Sequence, residues 1–166
     1  MLGTADDLYL TVGEYILHIH SWLPFISRTR LQQQCARQSF QNQADILLLL
    51  LAIKLITTPP PANPRNPRTS LYRTVKHLYV EVEGSCALTL STLQAGIVVA
   101  LYEVAQGIFP AAFLSVAGCA RFAHAIGINV DRAVGTRKPL TLVEIEERNR
   151  AWWAIVILDR SVPLRL

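Results

Sequence analysis

Apolar positions along this chain recur with the spacing of helices rather than with the alternation of strands. Leu71, Val75, Leu78 and Val82 form one such stripe, and the segment 90–104 carries a second. This pattern predicts an all-α fold in which six or seven helices pack as an antiparallel, bundle-like array.

Helix ends are marked by capping residues, glycine and proline. The candidate N-caps, in chain order, are Asp6 or Asp7, Asp45, Thr69 or Ser70, Ser85 or Thr89, and Thr141. Gly84, Gly107 and Gly127 are placed to end the helices that precede them. Pro24 should end the first helix, and Pro110 should open the helix that runs to Ile126.

Three segments have a distinct composition. The run 46–56 has no polar side and predicts a central buried helix, since it is short for a membrane span and contains Lys54. Five prolines within 57–69 predict an extended, solvent-exposed loop, with a docking segment for a partner protein as the alternative. The small residues of 111–126 predict a helix that lies close between neighbours.

The segment 144–160 predicts one long helix. Thr141 and Glu144 have the spacing of a capping box, and Glu144/Arg148 and Glu146/Arg150 are acid-then-base neighbours four residues apart. We expect the acidic first turns to be solvated and the aliphatic run that follows Trp153 to be buried on all sides.

Composition favours one domain, residues 1–166, with no DNA-binding arm. The chain is 51% hydrophobic and 17% charged, with a net charge of +4. That excess of apolar residues suggests a very helical core or a surface that other sequence covers. The basic residues are scattered, so direct DNA binding by this segment is not expected.

The sequence holds no constellation that would carry catalysis or bind a metal. Cys35, Cys86 and Cys119 are far apart, and without a C-x-x-C pair they cannot build a zinc cluster or a redox site. His18 and His20 face different sides of a helix, and no phosphate loop or nucleophile elbow is present. We therefore expect no enzyme activity, no cofactor in this chain, no signal peptide and no membrane segment.

Three blocks of sequence resemble the regulatory middle homology region of fungal binuclear zinc cluster transcription factors. The first is the opening 15–25, with His20-Ser21-Trp22-Leu23-Pro24-Phe25; the second is the helix end 120–128, similar to A-x-x-A-x-x-L-G-L. The third is Glu-Glu-Arg-x-Arg, Trp-Trp, an aliphatic run and Leu-Asp-Arg within 146–160. The residues that carry the motifs are His20, Pro24, Gly127, Arg148, Trp152, Trp153, Asp159 and Arg160.

The resemblance implies a nuclear protein that modulates transcription by RNA polymerase II. It implies structural roles for the motif residues: the tryptophans fill the core, and Asp159 and Arg160 tie helix ends together. His20 is expected to cap the turn before Pro24. In the family the domain continues further, so the array would be incomplete at its C-terminus.

The resemblance also limits the partners. DNA and zinc would be bound only by a zinc cluster domain upstream, which this chain lacks. A protein partner or homodimer and a small-molecule effector remain as candidate partners of the helical region. The alternative interpretation is a fragment without independent activity, or a partner-binding remnant, which should expose apolar surface and aggregate.

Overall fold

A computed structural model describes residues 3–36, 43–62, 66–85, 88–128 and 140–162 of the chain. This part contains seven α-helices and no strand, which confirms the all-α array. The helices are α1 Ala5–Tyr15, α2 Arg28–Ala36, α3 Ala44–Thr57, α4 Ser70–Gly84, α5 Leu90–Gln106, α6 Ala111–Ala125 and α7 Leu142–Ser161. A π-helical turn, Ile16–His20, continues directly from α1.

Helix α5 lies at the centre of the array, where it packs against α3, α4, α6 and α7. Every residue from Thr92 to Glu103 is buried, although the sequence pattern predicts a single apolar face for this helix. Gln94 and Glu103 are polar members of this buried stretch, so each requires a partner inside the protein.

Helix α3 is the second buried element and packs on α1, α4 and α5. Its residues 48–53 and Leu55 are buried, as its uniformly apolar sequence predicts. Asp45 does not cap it, because the N-cap is Gln43. The Asp45 carboxylate instead accepts the Thr89 hydroxyl at 2.9 Å and so joins the first turn of α3 to the start of α5.

Threonines cap four of the helices. Thr69, Thr89 and Thr141 accept backbone N–H groups of the first turns of α4, α5 and α7, which confirms three predicted caps. The cap of α1 is Thr4 rather than Asp6 or Asp7: Asp7 stands three residues later and completes a capping box with Thr4.

Gly107 and Gly127 follow the ends of α5 and α6, as predicted, and the chain turns sharply at both. Gly107 has φ 67° after α5 and Gly127 has φ 75° after α6, and this left-handed conformation suits a residue without a Cβ atom. Helix α6 packs between α5 and α7, as its small residues predict. On α2, Leu31 and Cys35 face the core.

The proline-rich segment is described at 57–62 and 66–69, where it forms no helix or strand beyond the end of α3. Buried Tyr102 of α5 donates its hydroxyl to the carbonyl of Pro67 at 2.6 Å. This bond fixes the later part of the segment against the core. Among the described helices, none has the length and apolar character needed to cross a membrane.

Candidate functional site

The N-terminal half of α7 is the place where the three motif blocks meet. Its Glu147 is 5% exposed, which corrects the expectation that this carboxylate lies on a solvated first turn. Glu147 accepts the backbone N–H of Ser27 at 2.8 Å and forms an ion pair with Arg30. One carboxylate thus fixes the start of α2 to α7.

Backbone carbonyls of the opening block contact side chains of two helices, α5 and α7. Leu23 and Phe25 are buried in the core, and the Phe25 carbonyl accepts the side-chain amide of Gln94 on α5 at 3.0 Å. The carbonyl of exposed Pro24 lies 3.5 Å from a guanidinium nitrogen of Arg150 on α7. The segment before α2 is therefore attached to both α5 and α7.

His20 does not cap the turn before Pro24. The described hydrogen bonds of that turn go to the carbonyls of Ile19 and His18, which accept the backbone of Leu23 and the indole N–H of Trp22. His20 is half-buried beside Arg150 and Glu146 in a cavity of about 380 Å³. Burial and the nearby guanidinium groups lower the pKa of His20, so its neutral form is favoured.

The second block is joined to α7 at the end of α6. Arg148 donates to the carbonyl of Ile126 at 2.9 Å, directly before the left-handed Gly127. A cation at this place satisfies a free carbonyl at the negative end of the α6 dipole. The sequence pattern predicts that Arg148 pairs with Glu144. Arg148 instead bonds Ile126, and Glu144 closes the capping box with Thr141. The predicted pair of Glu146 and Arg150 is confirmed at 2.8 Å.

The two tryptophans have different environments. Trp152 is half-buried against the core, and His124 of α6 meets its ring edge-on with 5.2 Å between the ring centroids. Trp153 is 63% exposed and does not fill the core, contrary to expectation. Ile157, one turn further on, is also exposed, so the aliphatic run of α7 is not buried on all sides. Trp153 and Ile157 both lie on the outer face of α7.

Asp159 and Arg160 are exposed in the last turn of α7. Within the described ranges, neither side chain has a hydrogen bond or ion pair to another helix. The expected tie between helix ends is therefore not formed there, and the described ties are those of Glu147 and Arg148.

A second polar cluster lies in the core and was missed by the sequence analysis. Glu103 of α5 is 0% exposed; its Oε1 atom accepts the hydroxyl of Tyr72 at 2.7 Å and lies 3.0 Å from the ammonium of Lys76. Lys76 also donates to the Ser115 hydroxyl at 2.9 Å. The other oxygen, Oε2, is buried without a hydrogen bond from any described residue. The signal available in sequence was Glu103, the one charged residue of α5.

A groove of about 450 Å³ adjoins this cluster between α4, α5 and α6. Gly96 and Cys119 lie in its lining together with Lys76, Ser115 and Arg121. Burial raises the pKa of the Cys119 thiol to about 12, so this cysteine stays protonated and unreactive at neutral pH. Burial also raises the pKa of Tyr79, which faces Gly96.

A further cavity of about 560 Å³ lies between α1, the π-helical turn and α2, and is lined by Gly13 and Gln32 among others. In the described ranges, no cluster of three or more histidine, cysteine or acidic residues could hold a metal ion. Cys35 and Cys119 are free thiols, and Cys86 lies outside the described residues.

Comparison with known proteins found a relative that aligns with most of the chain. The sequence is 37% identical over 151 residues to a protein of Botryotinia fuckeliana (strain B05.10) named transcription factor BOA15. The match covers 90% of this chain and 84% of that relative. No family model matches the chain, and no solved structure matches it.

Proposed function

This chain belongs to the family of transcription factor BOA15, and from that premise we propose that it is a regulatory and interaction domain that modulates transcription by RNA polymerase II in the nucleus. The observation that carries the proposal is identity at 37% across 90% of the chain. The resemblance to the middle homology region of zinc cluster factors supports the finer assignment.

The described contacts of the motif blocks are those of a scaffold. The residues of the three motif blocks are used to join helices: Glu147 joins α7 to α2, and Arg148 joins α7 to α6. These bonds fix α7 in position relative to α2 and α6. We infer that the chain acts through contacts with proteins, and that DNA is read by a zinc cluster domain outside it or by a partner.

A reporter assay tests the proposal. The chain is fused to a heterologous DNA-binding domain, and transcription from a reporter promoter is measured in fungal cells against that domain alone. We expect a change of several-fold in either direction, with the fusion located in the nucleus. An unchanged reporter at equal protein level, in several growth conditions, would contradict the proposal.

A matched pair of variants makes the assay specific. Glu147→Ala removes the bond from the third motif block to Ser27, which lies two residues beyond the first block, whereas Glu14→Ala removes an exposed carboxylate whose described ion pair is with His18. The first variant should lose the reporter effect and the second should keep it. Equal behaviour of the two variants would show that the reporter effect does not need the folded scaffold.

The partner-binding alternative is favoured by one observation. Val143, Trp153 and Ile157 are large apolar side chains exposed on α7. Exposed apolar side chains of this size are typical of a contact surface or of an aggregation site. Light scattering of the purified chain separates the two: a single species of constant mass favours a regulatory domain, and growing particles favour the remnant.

A further inference from the structure

The groove between α4, α5 and α6 is half open to solvent and encloses about 450 Å³. Its floor includes Gly96, over which Tyr79 and Cys119 pack so closely that an added Cβ atom would lie 2.8 Å from the Tyr79 hydroxyl. Gly118 lines the same groove, and a Cβ atom added there would meet nothing within 4 Å. The absence of a side chain at Gly118 therefore leaves open space.

The rim of the groove is apolar and exposed. Val80, Leu88 and Leu114 line it and are 63%, 52% and 61% exposed. Three large apolar side chains around one opening favour a ligand with an apolar body that would remove them from water. The volume of about 450 Å³ is that of small-molecule sites, which span roughly 300–1,000 Å³.

Polar groups are placed at one part of this lining. The Lys76 ammonium has three N–H donors, and its described partners, Ser115 and Glu103, use two of them. Arg121 is exposed and lines the groove as well, as does Glu83; because buried Glu103 already balances the charge of Lys76, Arg121 is the cation that the lining adds. A carboxylate or another anionic oxygen on the ligand would find donors there.

The geometry points to this groove as the binding site of a small-molecule effector that combines an apolar body with a carboxylate. The oxygen of the ligand would accept from Lys76 and Arg121, and the apolar body would cover Val80, Leu88 and Leu114. Because Lys76 also pairs with buried Glu103 on α5, occupation of the groove would act directly on the central helix. The role as an effector rests on the proposed function, whereas binding itself rests on the geometry.

Decanoate is a suitable probe, with decylammonium as its match of opposite charge. Isothermal titration calorimetry of the purified chain, below micelle-forming concentrations, should show saturable binding of decanoate at least about tenfold tighter than that of decylammonium. Equal affinities would overturn the carboxylate class, and no saturable binding of decanoate would overturn the site.

Two glycine variants locate the site. Gly118→Leu fills the groove, and because its side chain enters open space in a helix, we expect the variant to melt no lower than the original chain. Gly13→Leu is the matched control, since Gly13 is also helical and open but lines the cavity beside α1. Decanoate affinity should fall at least about tenfold in Gly118→Leu and stay unchanged in Gly13→Leu; the reverse result would overturn the assignment.

The charge of the rim is tested by Arg121→Gln. Arg121 is exposed, so folding should be retained, and decanoate affinity should fall severalfold while decylammonium binding does not. An unchanged preference for decanoate would remove Arg121 from the site. These titrations use the purified chain without a reporter, so a failure of binding and a failure of the proposed function give separate results.

Discussion

The carboxylate of Glu147 accepts the backbone N–H of Ser27 at 2.8 Å, although the two residues are 120 positions apart in the chain. Ser27 directly precedes α2, and its carbonyl accepts Leu31 in the first turn of that helix. The carboxylate therefore lies at the positive end of the α2 dipole, where a negative charge is stabilising. Arg30, in the same turn, adds an ion pair to Glu147.

We predict that Glu147→Ala lowers the free energy of unfolding by about 2 kcal/mol, because a charged hydrogen bond and a partly buried ion pair are lost together. Urea unfolding followed by circular dichroism measures the change. Glu146→Ala is the control: its pair with Arg150 is exposed and should contribute less than about 0.5 kcal/mol. Equal losses in the two variants would contradict the role of Glu147.

The helices and most of their caps could be predicted from the sequence because those signals are local. The capping box of Thr141 and Glu144 needs only four residues, and the ends at Gly107 and Gly127 need only the backbone preference of glycine. The choice of Thr4 over Asp7 as the N-cap could not be decided by residue type alone, since both residues belong to the same capping box.

The environment of each side of α7 could not be predicted, because helical spacing does not say which neighbour a face meets. The buried residues of α7 include Glu147, Ala151, Ala154 and Leu158, which share one face with small side chains in its middle. This stripe of small residues is typical of close helix packing, although it does not identify α5 as the neighbour. Trp153 and Ile157 are apolar, so they were expected in the core, whereas both are exposed.

A second prediction concerns the ion pair in the core. Lys76→Met should destabilise the chain by about 3 kcal/mol, because it leaves the carboxylate of Glu103 buried without its cation. Adding Glu103→Gln should recover part of that loss, since a neutral amide is less costly to bury than an unpaired charge. Chemical unfolding of the two single variants and the double variant measures the coupling free energy between Lys76 and Glu103. Simple addition of the two single losses would show that the pair is not coupled.

A third prediction compares two helical glycines at the groove. Gly118→Ala should stabilise the chain by up to about 1 kcal/mol, because alanine is the better helix former and its methyl group enters open space. Gly96→Ala should destabilise it, because its Cβ atom would lie 2.8 Å from the Tyr79 hydroxyl and 3.0 Å from the Cys119 sulfur. Melting temperatures of the two variants should move in opposite directions. A shift of the same sign would show that the packing around Gly96 yields easily.

A fourth prediction concerns acid sensitivity at the start of α7. The backbone N–H and the hydroxyl of Thr141 hold the pKa of Glu144 below its usual range. A carboxyl group whose pKa is lowered by folding contributes stability above its unfolded pKa and loses it as the pH falls through the folded value. Glu144→Gln should therefore lose less stability than the original chain between about pH 6 and pH 3.

The same logic applies at the start of α1, where hydrogen bonds from Thr4 lower the pKa of Asp7. Asp7→Asn should flatten the acid limb of the stability profile further when it is combined with Glu144→Gln. Thermal melts across a pH series measure both effects. Parallel profiles for the original chain and the double variant would exclude these caps as sources of acid sensitivity.

The last prediction separates the two tryptophans of α7 by stability and by function. Trp152→Ala should lower the free energy of unfolding by about 2 kcal/mol, because it removes a half-buried ring packed on the core and on His124. Trp153→Ala should change it by less than about 0.5 kcal/mol, because that ring is mostly in water.

In the reporter assay we expect Trp153→Ala to have a large effect, although its effect on stability is small. An exposed tryptophan is the residue type that contributes most to protein interfaces, so Trp153→Ala should reduce the reporter effect at least about threefold if the outer face of α7 contacts a partner. Leu10→Ala removes an exposed apolar side chain from α1 and should leave the reporter unchanged. A reporter that responds to neither variant would place the partner contact on another surface of the chain.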